Sequence, residues 1–282
     1  MLSASTLSES AADAHTLLNR RNRDGTLAAP QQWNEVVETI LNHRSVRAFL
    51  PRALPEGTLE LLIAAAQSAS TSSNLQFWSV VAVQETKRKS RLAELAGQQQ
   101  FIRDAPLLLV WLADLSRLDR IAAEHQAQVD GTHYIEEFIV GVVDAALAAQ
   151  SALIAAESLG LGTVYIGAMR NLPEQIAAEL ALPPHVFAVF GMSVGYPDPE
   201  RPTDIKPRLP QSLVLHREQY SAAPHSEAVD GYNATMRGFQ REQGMKAIDW
   251  TQQCFSRVKD AVALRGRDRM RDALRNLGFE LR

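Results

Sequence analysis

Cysteine is nearly absent: Cys254 is alone in 282 residues, which excludes an intramolecular disulfide and any thiolate cluster for zinc or iron–sulfur chemistry. A reducing compartment fits such usage. The seven histidines never form H-E-x-x-H, and His125 and His133 are too far apart to share adjacent turns of one helix face, so no metal is expected. A phosphate loop of the form G-x-x-x-x-G-K-[ST] is missing as well. Gly160-Leu161-Gly162 follows a helix rather than a strand and lacks a third glycine, so no Rossmann site is expected. Positive charge is not in excess, with 29 Lys plus Arg against 32 Asp plus Glu, and this argues against a dedicated nucleic-acid or membrane-surface protein. The first 30 residues lack the continuous apolar core of a signal peptide, and Glu9, Asp13 and Asp24 count against an acid-poor transit peptide. The expected location is cytoplasmic. Residues 1–32 are read as a polar extension, either disordered or wrapped around a partner, ahead of one domain over 33–282.

What the chain does have is a core: 46% of it is apolar, ample for a globular domain. Trp33 to Asn42 carries apolar residues at helical spacing and runs into the basic stretch His43-Arg44-Ser45-Val46-Arg47. Pro55 marks a second helix start, with Leu59, Leu62, Ile63 and Ala66 as its buried stripe, and this helix stops in Ser70-Thr71-Ser72-Ser73-Asn74. Four short apolar runs read as strands: Ser79–Val83, Leu107–Trp111, Thr163–Ile166 and Val186–Val194, the last bounded by Pro183-Pro184 and Pro197. Tyr134 to Leu159 is apolar nearly all round and closes at Gly160, the pattern of a central buried helix. Its length also matches a membrane span, but Glu136, Glu137, Asp144, Gln150 and Glu157 oppose that reading. A charged helical tail follows from Ala228, with a further helical run from Trp250 to Leu264. The expected fold is α+β, an antiparallel or mixed sheet packed between helices.

Several motifs admit two readings each. The basic stretch at 43–47 offers forked donors for a phosphate, or is simply a solvated surface. The hydroxyl-rich run Ser70 to Gln76 could bind a phosphate or a heterocycle edge, although such runs are also ordinary loops. Lys206-Pro207-Arg208-Leu209-Pro210 holds two cations on a stiff segment, suited to a rigid anion or to a surface connection. Gly191-Met192-Ser193-Val194-Gly195 matches the G-x-S-x-G elbow of serine hydrolases, but Tyr196-Pro197-Asp198-Pro199 blocks the helix that an elbow needs, so Ser193 reads as a strand residue.

Taken together, His43 to Phe49, Ser70 to Gln76, Ala155 to Gly167 and Lys206 to Pro210 resemble the NADPH-linked, oxygen-insensitive nitroreductases and the related NADPH–flavin oxidoreductases. The resemblance extends over nearly everything except residues 1–32. It implies a nitroreductase-like fold, with a mixed, mainly antiparallel sheet flanked by helices, a long central helix and two interlocked subunits, each FMN lying at their interface. It implies further that His43, Arg44, Ser45, Arg47, Lys206 and Arg208 hold the FMN phosphate and ribityl side, and that Gln99 meets the isoalloxazine edge. Tyr165, Ile166, Gly167 and Ala168 would supply backbone contacts near the flavin N5, with Ser70, Thr71 and Ser72 coming from the partner subunit. Arg47, Arg241 and Arg267 would take NADPH phosphates. Three departures stand out: Thr71 replaces the usual serine, Asn74 an apolar residue beside the nicotinamide and substrate pocket, and Ala168 a glycine.

The activity so implied is hydride transfer from NADPH to FMN, then two-electron reduction of nitroaromatics, quinones or related acceptors. The flavin carries the difficult chemistry, which accounts for the lack of an acid–base triad; Lys206 would stabilise negative charge on the flavin pyrimidine. The alternatives are a flavin reductase that releases reduced FMN, a non-catalytic flavin-binding protein on the same scaffold, and a serine hydrolase built on Ser193.

Overall fold

Strands β1 (Trp78–Val83), β2 (Leu107–Asp114), β3 (Gly162–Ile166) and β4 (Val186–Gly195) form where the apolar runs lie. The computed structural model describes residues 14–23, 25, 27, 28 and 30–282. The helices in chain order are α1 (residues 14–22), α2 (Glu35–Leu41), α3 (Thr58–Gln67), α4 (Thr86–Leu95), α5 (Gln100–Asp104) and α6 (Ser116–Glu124). They continue with α7 (Ile135–Ser158), α8 (Pro173–Glu179), α9 (Ser226–Glu242), α10 (Trp250–Val258) and α11 (Met270–Asn276). The described residues divide into two compact units. One holds the residues up to Arg44 together with Thr203–Ala263, the other Ser45–Pro202 together with Leu264–Arg282. The boundaries between the units fall at 44/45, 202/203 and 263/264.

The second unit contains the sheet, in the order β1-β2-β4-β3. All three strand pairings are antiparallel; among the described residues the parallel contact is the isolated bridge between Ser45 and Thr163. Alternation along β2 sends Leu107, Leu109 and Trp111 to one face, against Leu62 and Ala66 of α3 and Ala148, Ala149, Ala152 and Leu153 of α7. Leu108, Val110 and Leu112 point the other way, against Leu92 and Ala93 of α4, Ile102 of α5 and Ile176 of α8. This two-fold period is what a strand covered by helices on both sides requires. The register of β2 on β4 shifts between Trp111 and Leu112, opposite Phe190 and Ala188, leaving Val189 as the extra residue of a bulge. Beyond the sheet, the edge of β3 is covered by the chain at 45–47, where the Val46 N–H donates to the Thr163 carbonyl at 2.8 Å. Gly162 permits that approach, since a Cβ there would meet Val46 Cγ2 at 2.7 Å.

Several expectations need correction. The helix assigned to Pro55 starts at Thr58, after Gly57, and the run from Trp250 ends at Val258, with only a 3-10 turn at Val262–Leu264 beyond. The long helix α7 is buried on one side only. Ile135, Ile139, Val143 and Leu147, four residues apart, are each 43–50% exposed. By length and composition α7 could span a membrane; its other face instead packs on β2 and α3.

The first unit has a smaller apolar cluster, Tyr232, Met236 and Phe239 of α9, with Leu209 and Trp250 against it. Its loops are joined by a buried cation. Arg21 of α1 is 8% exposed and donates to the carbonyls of Leu41 at 2.8 Å, His43 at 2.5 Å and Lys206 at 3.1 Å. Residues 14–22 of the N-terminal extension are helical, and Arg21 packs within its unit; the expectation of a disordered or partner-wrapping arm otherwise falls largely on residues 1–13, 24, 26 and 29, outside the described residues.

Candidate functional site

The end of β3 delivers the wall of a pocket. Where Tyr165 and Ile166 leave the sheet, the chain turns through the 3-10 helix Gly167–Arg170, and Arg170 anchors this turn by donating to the Val189 carbonyl. That carbonyl belongs to the bulged residue of β4, so the guanidinium satisfies an acceptor that the bulge has taken out of the ladder. Burial lowers the Arg170 pKa. Across from this wall, α4 ends at Leu95, Ala96-Gly97 follow, and α5 begins after Gln99. Buried Lys89 holds the far end of α5 by donating to the Ala105 carbonyl at 2.6 Å and the Arg103 carbonyl at 3.3 Å, a cation at a helix C-terminus; burial lowers its pKa.

Between these walls lies a cavity of about 330 Å³ lined by Arg47, Gln99, Tyr165, Ile166, Gly167 and Ala168, and by Ala96, Gly97, Phe101, Asn171, Arg265 and Arg267. Its volume is that of a small-molecule site. Among the described residues the lining offers three guanidinium groups and two carboxamides, and no carboxylate. Arg47 is exposed, and among the described residues it has no hydrogen-bond or ion-pair partner. Arg267 is half-buried and donates from Nε to Asn171 Oδ1 at 2.9 Å. Burial, and then the nearby Glu157 carboxylate, raise the Tyr165 phenol pKa, so it stays protonated and donates to Gln150 Oε1 at 3.3 Å. A donor-rich lining of this kind fits a polar, flat heterocycle bearing a phosphate, and FMN is such a group.

Beyond the lining residue Arg267, the last residues of the chain are tied to α8, to His185 and to residues 133 and 135. Glu174 of α8 pairs with Arg269 and accepts from Asn276 Nδ2 at 3.1 Å. Burial raises its pKa, but its own backbone N–H, Asn276 and Arg269 together outweigh that effect and hold it below the usual carboxylate range. The Leu277 carbonyl accepts from the His185 N–H at 2.8 Å, and Arg282 is bonded to His133 and Ile135 through backbone atoms.

The structure therefore brings Arg47, Gln99, Tyr165, Ile166, Gly167, Ala168 and Arg267 into one pocket. Ser45 does not line it and instead bridges to Thr163 on the β3 edge. His43, Arg44, Lys206 and Arg208 belong to the first unit, where Arg21 joins the His43 and Lys206 carbonyls and the Arg208 N–H returns a bond to the Arg21 carbonyl at 2.8 Å. Arg241, near the end of α9 in that unit, is exposed.

Ser70, Thr71 and Ser72 do not line the pocket. Their loop is fastened to α7 by Asp144, 2% exposed, which accepts from Thr71 Oγ1 at 2.6 Å, Ser72 N–H at 3.3 Å and Phe77 N–H at 3.1 Å. The fastening supports three non-glycine residues in left-handed conformation, Ser73, Asn74 and Gln76, a cost that clusters at functional loops. The sequence reading missed Asn171, Arg265, Arg170, Asp144 and Arg21. Only Asp144 carried a signal, as an acid inside an apolar helix.

Comparison with known proteins agrees with this geometry. The Nitroreductase family profile matches residues 40–196, and its C-terminal domain profile matches residues 206–282. The chain is 35% identical to an FMN reductase (NADPH) of Bacillus subtilis over 251 residues, 87% of this chain and 98% of that protein. It is 40% identical to an oxygen-insensitive NADPH nitroreductase of Salmonella typhimurium over 65% of this chain and 74% of that protein. The solved NADPH:FMN oxidoreductase of Vibrio harveyi, complexed with NAD+, superposes with a TM-score of 0.77 at 33% identity, covering 88% of this chain and all of that one.

Proposed function

Because the chain belongs to the nitroreductase family, we propose that it is an FMN-dependent oxidoreductase that draws hydride from NADPH and reduces small aromatic acceptors such as nitroaromatics and quinones. The observation that carries this reading is the carboxylate-free, arginine-rich pocket at the end of β3. Bound FMN supplies the relay between the hydride donor and a two-electron acceptor. The protein's part is orientation and charge. Arg47, Gln99 and the backbone of Tyr165 to Ala168 are assigned to holding the flavin, and Arg241 and Arg267, with Arg47, to NADPH. Following the resemblance, His43, Arg44, Ser45, Lys206 and Arg208 are assigned to the phosphate and ribityl side, Lys206 also serving as a fixed positive charge for the flavin pyrimidine. Lys206→Ala should then slow flavin reduction or weaken FMN retention.

The absorption spectrum of purified protein, before and after anaerobic NADPH, tests the reading. Yellow protein that bleaches supports it, yellow protein that does not bleach indicates a flavin-binding protein without catalysis, and a colourless protein that takes up no FMN overturns it. The name of the Bacillus subtilis relative, an FMN reductase, favours a second reading in which free FMN is the acceptor; turnover with FMN against turnover with a nitroaromatic separates the two.

The working state we assign is a homodimer. The exposed stripe Ile135, Ile139, Val143 and Leu147 is a continuous apolar face of the kind that association covers. It runs along the helix whose Asp144 holds the Ser70–Ser72 loop, which is how a second copy would contribute Ser70, Thr71 and Ser72. Val143→Glu with Leu147→Glu should yield a monomer by light scattering, with reduced FMN content. Residues 1–32 are assigned as an extension to an FMN-binding body over 33–282, and the cytoplasm, where a lone half-buried Cys254 stays reduced, as the location.

A further inference from the structure

The mouth of the pocket is shaped by a backbone feature that flavin binding alone does not explain. Arg265 has a φ of 56° and Gly266 a φ of 86°, so two successive residues are left-handed, and the first of them is not glycine. Such a conformation costs energy at a non-glycine residue and persists where surrounding contacts enforce it. Here the enforcing contact is Asn171. Its side-chain oxygen takes the Arg267 Nε–H at 2.9 Å, while its backbone carbonyl comes so close to Gly266 that a Cβ there would lie 2.6 Å away. Asn171 is itself tied to the pocket wall, since its N–H donates to the Ala168 carbonyl at 3.0 Å. The consequence is that Arg265 and Arg267 line the same cavity. Arg265 is exposed, and among the described residues it makes no ion pair or hydrogen bond, so its conformational cost is not recovered by a contact of its own.

We propose that Asn171 and Gly266 set Arg265 and Arg267 as a two-arginine clamp for an anionic group on the molecules that visit the pocket, with Arg265 as a specificity-determining residue and Asn171 as the residue that positions the clamp. This rests on the proposed flavin-dependent activity. The chemistry recognised is a phosphate or carboxylate, which forked guanidinium donors bind bidentately. The source is either a phosphate of the nicotinamide nucleotide or an acidic group on the electron acceptor.

The experiment titrates NADP+ into FMN-loaded protein calorimetrically and, in parallel, compares KM for 4-nitrobenzoate with KM for uncharged nitrobenzene. Arg265→Ala, at an exposed position, should leave the melting temperature unchanged and, in protein saturated with FMN, weaken one anion by about tenfold or more. Weaker NADP+ binding identifies the nucleotide; a raised KM for nitrobenzoate alone identifies the acceptor. If neither changes in yellow, FMN-loaded protein, the clamp is wrong while the flavin reading stands, whereas colourless protein removes the flavin reading itself. For Asn171, the double variant Asn171→Ala with Arg267→Ala should be no weaker than Arg267→Ala alone, because the first acts through the second. Additive losses would show that Asn171 does not position the arginine. Asn171→Asp keeps the accepting oxygen but adds a negative charge, and should preserve the melting temperature while weakening the anion.

Discussion

Trp111 and Arg21 are both buried, one fully and the other to within 8%, yet they organise their units by opposite means. Trp111 sits mid-strand in an apolar cluster shared by β2, β4, α3 and α7, held by packing against its neighbours. Arg21 sits among carbonyls and joins the chain at 41–43 to the chain at 206 by donating to them. The difference bears on the site. Of the residues we assign to the flavin, Gln99 and Tyr165 to Ala168 are presented by a packed sheet and its flanking helices, whereas His43 and Lys206 stand on loops of the first unit whose carbonyls Arg21 bridges. Loss of the second kind of support should release a ligand without unfolding the sheet.

The largest effect should come from the packed side. Trp111→Ala should cost about 3–5 kcal/mol in denaturant unfolding, the range for a large buried aromatic, and hydrogen exchange should accelerate throughout β1 to β4; protection lost only locally would break the comparison. Arg21→Ala leaves three carbonyls without their donor and should cost about 2–3 kcal/mol. That loss should appear as faster exchange in residues 203–263 and as lower FMN retention, with β2 and β4 still protected. Arg21→Lys should recover only part, because a single ammonium cannot reproduce the planar fork. Thr71→Val, which removes the hydroxyl shared between Asp144 and the Gln76 N–H, should cost about 1 kcal/mol and be read as greater proteolysis of the Ser70–Gln76 loop.

The smallest effect sharpens the picture at the chain end. The Glu174 pKa is lowered in the folded protein, so its contribution is present above the ordinary glutamate value of about 4.3 and is lost as the pH falls through the lowered folded value. Glu174→Gln should leave stability at pH 7 within about 0.5 kcal/mol, since paired surface carboxylates contribute little. It should also flatten the decline of the melting temperature below pH 4.3 or so, the glutamate range. An equally steep acid decline in the variant would remove Glu174 from the account.

How much of this was legible in the sequence differs by region for the same physical reason. The strands β2 and β4 could be read because a chain buried on both faces must be apolar without interruption, and the prolines around β4 mark its ends. Helix α4 escaped notice because its sequence, TKRKSRLAEL, is mostly charged and buries only Lys89, Leu92 and Ala93. In α7 the apolar residues looked uniformly internal, since composition does not separate a face packed on its own sheet from a face left for another surface. The pocket arginines divide likewise. Arg47 belongs to a recognisable basic stretch, but Arg265 and Asn171 are 94 positions apart by their numbers, and only the left-handed turn at 265–266 joins them.

One consequence of the bridge between Ser45 and Thr163 reaches beyond catalysis. A bare outer strand is a template on which other chains can stack through their own amides. In this protein the segment that carries Arg47 occupies part of that template, so the side of β3 away from β4 is shielded by the very loop we assign to the flavin. Substitutions that lift this loop, a side chain at Gly162 above all, therefore threaten colloidal behaviour along with flavin retention, and preparations of such variants should cloud at concentrations where the parent stays clear.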